Sequence, residues 1–192
     1  MTDKKVIITP VLFPEMGWIK LLEDASTIYI DGTERFQKQT SRSRYSIATS
    51  AGPLMLTVPV KQGKTQLKTG EVLISYEEPW ARKHLRSIKT AYGSAPYYIY
   101  YADELEDLLQ QPHERLLDLQ MQMLGWLLKC FRKSCMVLEW TDLNLPENII
   151  DLRFQEIKPV SPYPQVFDSQ NGFLQGMAAF DYLFNEGPEI MY

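Results

Sequence analysis

Four residues spaced by two, Lys38, Thr40, Arg42 and Arg44, lie within a strand-like stretch running from residue 36 to residue 48. In a regular strand alternate side chains point the same way, so the three cations would share one face. Guanidinium groups held in parallel suit two-point capture of a phosphate or a carboxylate. A solvated sheet face with no ligand is the alternative. The wider segment favours a ligand: Arg35, Lys38, Arg42, Arg44, Lys61, Lys64 and Lys68 follow one another with no Asp or Glu between the first and the last. The expected partner is an anionic small molecule, a nucleotide-sugar or an acyl carrier.

A second group lies on one helix face. Trp80, His84, Ile88 and Tyr92 recur every fourth residue. His84 there could act as a general base or donate to an anion, with Trp80 and Tyr92 beside the substrate. A hydrogen-bonded histidine at the border of an apolar face is the plainer reading. Asp31 ends a strand-like run, where it could hold Mg²⁺, orient a base, or serve a turn with Gly32. His113 reads as a surface residue near a helix start, and Asn185 and Glu186 as helix-end turn residues. Cys130 and Cys135 have the spacing of no zinc or redox motif and read as reduced, buried thiols. No phosphate loop, HExxH or GxSxG is present, so these motifs name no metal ligands and the cofactor stays open.

These residues need a scaffold, and its pieces alternate. Residues 5 to 9 form a β-branched run, and Pro10 and Pro14 then enforce a stiff loop. Helical spacing follows over 15 to 22 and strand character over 26 to 30. Residues 36 to 48 and 54 to 60 read as a hairpin turned at Gly52-Pro53. A polar, mobile loop is expected over 62 to 70, a strand over 71 to 76, and a helix from Pro79 to Tyr92. A tyrosine-rich stretch, residues 97 to 101, follows. A long amphipathic helix over 116 to 131 precedes a short strand over 136 to 140. Proline-rich residues 141 to 170 should wrap the surface, and a last helix is expected over 173 to 184.

Interleaved helix and strand signals imply an α/β fold, a mixed central sheet with flanking helices. The 192 residues, 45% of them apolar, suit one domain over 1–192. A net charge of −4 argues against extended nucleic acid as a partner. With no signal-peptide layout and no membrane-spanning run, a cytoplasmic protein is expected.

Four stretches in this order resemble the WbqC-like family. They are IITPVLFPEMGWIKLL, KQTSRSRYSI followed by GPLMLTVPV, WARKHLRSIKTAYGSAPYY, and FDYLFNEGPE. The resemblance implies a role in O-antigen or other surface-polysaccharide biosynthesis, with transfer of glycine or another acyl group to a sugar. Many relatives open with His-Gln-Pro where this chain has Ile8, Thr9 and Pro10, and carry Asn where it has Ser43. The departure implies reliance on His84, or a non-catalytic binding protein that kept its anion site. The opening elements also resemble Rossmann-like nucleotidyl- and pantoate-ligating enzymes, which would place a nucleotide at the strand ends.

Overall fold

The computed structural model describes residues 4–61 and 66–190. Lys64 of the basic segment, and residues 62 to 65 of the loop expected over 62 to 70, lie outside them. The fold is mixed α/β. Four strands, β1 (Lys5–Ile8), β2 (Thr27–Asp31), β5 (Met136–Trp140) and β6 (Ile149–Asp151), form a sheet in the order β5-β2-β1-β6, with every adjacent pair parallel. β1 is central, which explains its unbroken apolar run: Val6, Ile7 and Ile8 are covered on both faces. From β1 the chain steps one way to β2 and β5, then crosses back to β6 on the far side. The order therefore reverses between β1 and β6.

Between β1 and β2 the proline loop leads into α1 (Met16–Leu22), whose Trp18 and Ile19 are buried. Gly17 is required where the chain passes residues 157 and 158. A Cβ there would lie 2.4 Å from Ile157 Cγ2 and 2.7 Å from the Lys158 carbonyl oxygen. β3 (Arg44–Thr49) and β4 (Gly52–Thr57) form a separate antiparallel hairpin, with Ser50 and Ala51 at its tip and Gly52 at φ +97°. α2 (Trp80–Tyr92) and α3 (Tyr98–Gln110) are joined by residues 93 to 97, and α4 (Leu116–Cys130) buries seven Leu and Met side chains. α5 (Asp168–Asn171) and α6 (Phe180–Glu186) complete the chain.

Several expectations are corrected. Residues 36 to 43 are turns and loop, with Gln39 in left-handed backbone at φ 63°, so β3 starts only at Arg44. The strand expected over 71 to 76 is a 3-10 turn, Thr69–Glu71, followed by isolated bridges from Leu73 and Ile74. Tyrosines 98, 100 and 101 open a helix, α3, that the aromatic pattern concealed. The last helix begins at Phe180 and not at 173, and a strand, β6, lies inside the stretch expected to be surface wrap.

Candidate functional site

The basic row is dispersed. Lys38 is exposed on the turn. Arg42 swings toward the ends of β1 and β2, where its Nη2 donates to Thr9 Oγ1 at 3.0 Å and pairs with Glu34. Thr9 Oγ1 in turn donates to Glu34 Oε2 at 2.7 Å, which closes a triad. The side chains of Arg42 and Glu34 are only 12% and 16% exposed. The partner of Arg42 thus sits one residue before the acid-free segment begins.

Arg44 alone faces a cavity, of about 230 Å³. One wall is the proline loop and the start of α1 (Phe13, Glu15, Trp18), another is the turn and β3 (Gln39, Thr40, Arg44, Tyr45), and Met55 and Gly176 complete it. Backbone bonds hold these walls together. Leu12 N–H donates to the Ser41 carbonyl at 2.9 Å, Ala178 N–H to Ser46 at 2.9 Å, and Ala179 N–H to Pro14 at 2.8 Å. The rings of Phe13 and Tyr45 pack at 4.6 Å between centroids.

Two side chains of opposite charge in this cavity lack partners among the described residues. Among the described residues no carboxylate pairs with Arg44, and its buried Nε donates to nothing; its Nη1 lies 4.0 Å from Met55 Sδ. The Glu15 carboxyl likewise receives no hydrogen bond among them, and burial raises its pKa above the ordinary value. An unpaired guanidinium can hold a phosphate or carboxylate. A carboxyl whose proton affinity is raised by burial can exchange a proton nearer neutral pH. Glu15 carried no signal in sequence: it stands alone between Pro14 and a helix start.

His84 stands behind the cavity wall and is 3% exposed. Its Nε2 lies 3.2 Å from the Thr57 carbonyl oxygen and its Nδ1 lies 2.9 Å from Tyr45 Oη. A carbonyl only accepts, so Nε2 carries the hydrogen, and Nδ1 accepts from the Tyr45 hydroxyl. Burial pushes the imidazole pKa down to about 4, against a smaller upward effect of the Thr57 bond, so the ring is neutral at pH 7. Trp80 is buried against it, with ring centroids 5.2 Å apart. Tyr92 is buried elsewhere. Its hydroxyl donates to Asp181 Oδ1 at 2.7 Å and accepts from Ala48 N–H at 2.9 Å. Asp181 also receives Tyr163 at 2.6 Å and Gln165 at 2.9 Å. Of the residues singled out in sequence, Arg44 lines the cavity; His84 touches it through Tyr45; Lys38, Arg42, Asp31, Trp80 and Tyr92 do not line it.

Asp31 is buried at the carboxyl end of β2. One oxygen accepts from Thr33 N–H and Oγ1 at 2.9 and 2.6 Å, and the other from Arg153 Nη1 at 2.6 Å. Arg153 also grips Asp151 at the end of β6. With its acceptors engaged in this way Asp31 serves the turn and an ion pair. Among the described residues no three His, Cys, Asp or Glu side chains converge as a metal site would need, and no helix is long and apolar enough to cross a membrane.

Neither a search of curated proteins nor one of solved structures finds a match to the chain. A family model does match, over residues 9–149, which contain the proline loop, the Arg42–Glu34–Thr9 triad, Arg44, the hairpin and the helix of His84. The chain belongs to the WbqC-like protein family.

Proposed function

We propose that the chain transfers an acyl or aminoacyl group, such as glycyl, to an activated sugar in the building of O-antigen or another surface polysaccharide, with the Glu15–Arg44 cavity as its reacting site. The observation that carries this reading is the convergence of an unpaired guanidinium and an unpartnered carboxyl of raised pKa between aromatic walls. Arg44 holds the phosphate of the sugar or of the acyl carrier. Glu15, as carboxylate, takes the proton from the acceptor amine or hydroxyl as its nitrogen or oxygen bonds to the acyl carbon. It returns that proton to the departing heteroatom of the donor as the old bond to the acyl carbon breaks. Phe13, Trp18 and Tyr45 offer ring faces and edges to a sugar ring.

At about 230 Å³ the cavity is smaller than the roughly 300–1,000 Å³ typical of sites that enclose drug-sized ligands. It suits one sugar ring or an acyl head, while the nucleotide or carrier lies outside, near exposed Lys38 beside the lining residue Gln39. In this reading His84 is a positioning residue that fixes Tyr45, and the protein works in the cytoplasm on soluble activated sugars.

Two other readings each have an observation in their favour. Binding without turnover is favoured by Ile8, which is fully buried where many relatives carry the loop histidine. ATP-dependent nucleotidyl transfer or ligation is favoured by the reversal of strand order between β1 and β6, the place where open α/β sheets hold nucleotides. The test is a thermal-shift screen of wild type, Arg44→Ala and Glu15→Gln with nucleotide-sugars, acyl-CoAs, ATP with Mg²⁺, and inorganic phosphate. A nucleotide-sugar or acyl-CoA should raise the melting temperature of wild type and Glu15→Gln but not of Arg44→Ala. Turnover of the bound pair should be lost in Glu15→Gln. A response to ATP alone favours ligation, binding with no product in any donor–acceptor pairing favours the non-catalytic reading, and no response to any of them overturns the proposal.

A further inference from the structure

α2 and α3 are neighbours of opposite charge that do not neutralise each other. α2 carries Arg82, Lys83, Arg86 and Lys89 and no acid; α3 carries Asp103, Glu104, Glu106 and Asp107 and no base. The two helices bound a groove of about 650 Å³ with Leu85, Ile88, Leu105 and Leu109 along it. Even so, among the described residues no ion pair crosses from α2 to α3. Lys83 pairs with Glu78 and Glu104 with Lys129, while Arg82, Arg86, Lys89, Asp103 and Asp107 pair with nothing there. At the start of α3, outside the lining of this groove, the apolar side chains Ile99 (76%) and Tyr100 (74%) are exposed.

We propose that the chain forms a two-fold dimer in which α2 of one copy docks on α3 of the other. Arg82 and Arg86 are four residues apart, as are Asp103 and Asp107, so each pair spans one turn, about 6 Å. Two arginines on one copy therefore face two aspartates on the other at matching intervals. A two-fold axis makes this contact twice, because each copy presents both helices. Exposed ion pairs contribute little singly. Covering the exposed Ile99 and Tyr100 supplies most of the affinity, while the charges select the partner helix and set its register. Tyrosine and arginine around an apolar centre are the residue types that such interfaces favour.

The experiment is sedimentation equilibrium of the full chain over a wide concentration range. Wild type should dimerise. The double variants Arg82→Glu/Arg86→Glu and Asp103→Lys/Asp107→Lys should each weaken the dimer at least tenfold, since each sets like charges face to face. Mixed in equal amounts they should regain dimer mass, because every reversed helix then meets its complement, and this recovery also shows that both variants are folded. Ile99→Asp, at an exposed position that folding does not require, should weaken the dimer by itself. A monomeric wild type at all concentrations overturns the proposal. So does a dimer that survives charge reversal and Ile99→Asp, or a pair of folded variants that fails to recombine.

Discussion

At the carboxyl edge of the sheet Asp31, Glu34, Arg42, Asp151 and Arg153 all have partners of opposite charge, whereas Glu15 and Arg44 in the cavity beside the hairpin have none among the described residues. Arg42 and Arg44 are two residues apart and of the same chemistry, yet one closes a triad and the other leaves its guanidinium open. The difference lies in backbone. The turn around Gln39 sends Arg42 to the strand ends, and the first residue of β3 sends Arg44 into the cavity. A charge that is satisfied inside the protein holds the fold; a charge left open is available to a ligand.

The contrast can be broken most sharply at Glu15. Glu15→Gln should keep the melting temperature and lower kcat by about 100-fold or more, the lower end of what a positioned acid–base group supplies. In wild type the base form must be ionised, so kcat/KM should rise with pH through the Glu15 pKa, later than for an ordinary carboxylate. A loss below tenfold would move the chemistry elsewhere. Glu34→Ala should destabilise by roughly 3 kcal/mol in urea titrations, because it strands the part-buried Arg42 cation. Arg44→Ala should leave stability within about 0.5 kcal/mol and raise KM instead. Equal stability losses in these two variants would erase the distinction between paired and open charge.

His84 sharpens the comparison through pH. Its folded-state pKa of about 4 lies below the ordinary 6.5, so in acid the unfolded chain takes up a proton that the folded chain refuses. The stability it contributes is complete above pH 6.5 and is lost as pH falls toward 4, by roughly 3 kcal/mol in all. Chemical denaturation of wild type and His84→Gln at a series of pH values reads this: the variant should lose the part of the slope due to this ring. The smallest effect is expected at Lys38, where Lys38→Ala should change stability by less than about 0.5 kcal/mol, since the side chain is exposed.

Much of the scaffold was legible. The β-branched runs of β1 and β2, the every-fourth spacing of Trp80, His84, Ile88 and Tyr92, and the apolar periodicity of α4 are local signals that burial then honours. The basic row misled because alternation places side chains on one face only if the backbone is extended. Thr40 and Ser41 carried the contrary sign: Thr40 Oγ1 donates to the Gln37 carbonyl at 2.9 Å and its backbone carbonyl receives Ser43 and Arg44, as hydroxyl residues in turns often do. α3 was hidden by tyrosines, whose preference for strands outweighed the helical spacing of Tyr98, Tyr101, Leu105 and Leu109. The candidate site was the least legible part. Glu15, Arg44 and Gly176 meet only through tertiary packing, and no local spacing announces a carboxyl left without a partner.

The bond from Tyr45 to His84 has a further consequence, for heredity. The hydroxyl hydrogen of Tyr45 is spent on the imidazole, so a ligand in the cavity meets a ring and not a donor. Phenylalanine at 45 would serve the ligand nearly as well, but it would leave the His84 lone pair unmet in the core, and an apolar residue at 84 would orphan the hydroxyl in the same way. Either change alone is costly, while both together restore a consistent interior. Among relatives, positions 45 and 84 should therefore covary, switching as a pair between the hydrogen-bonded and the wholly apolar combination.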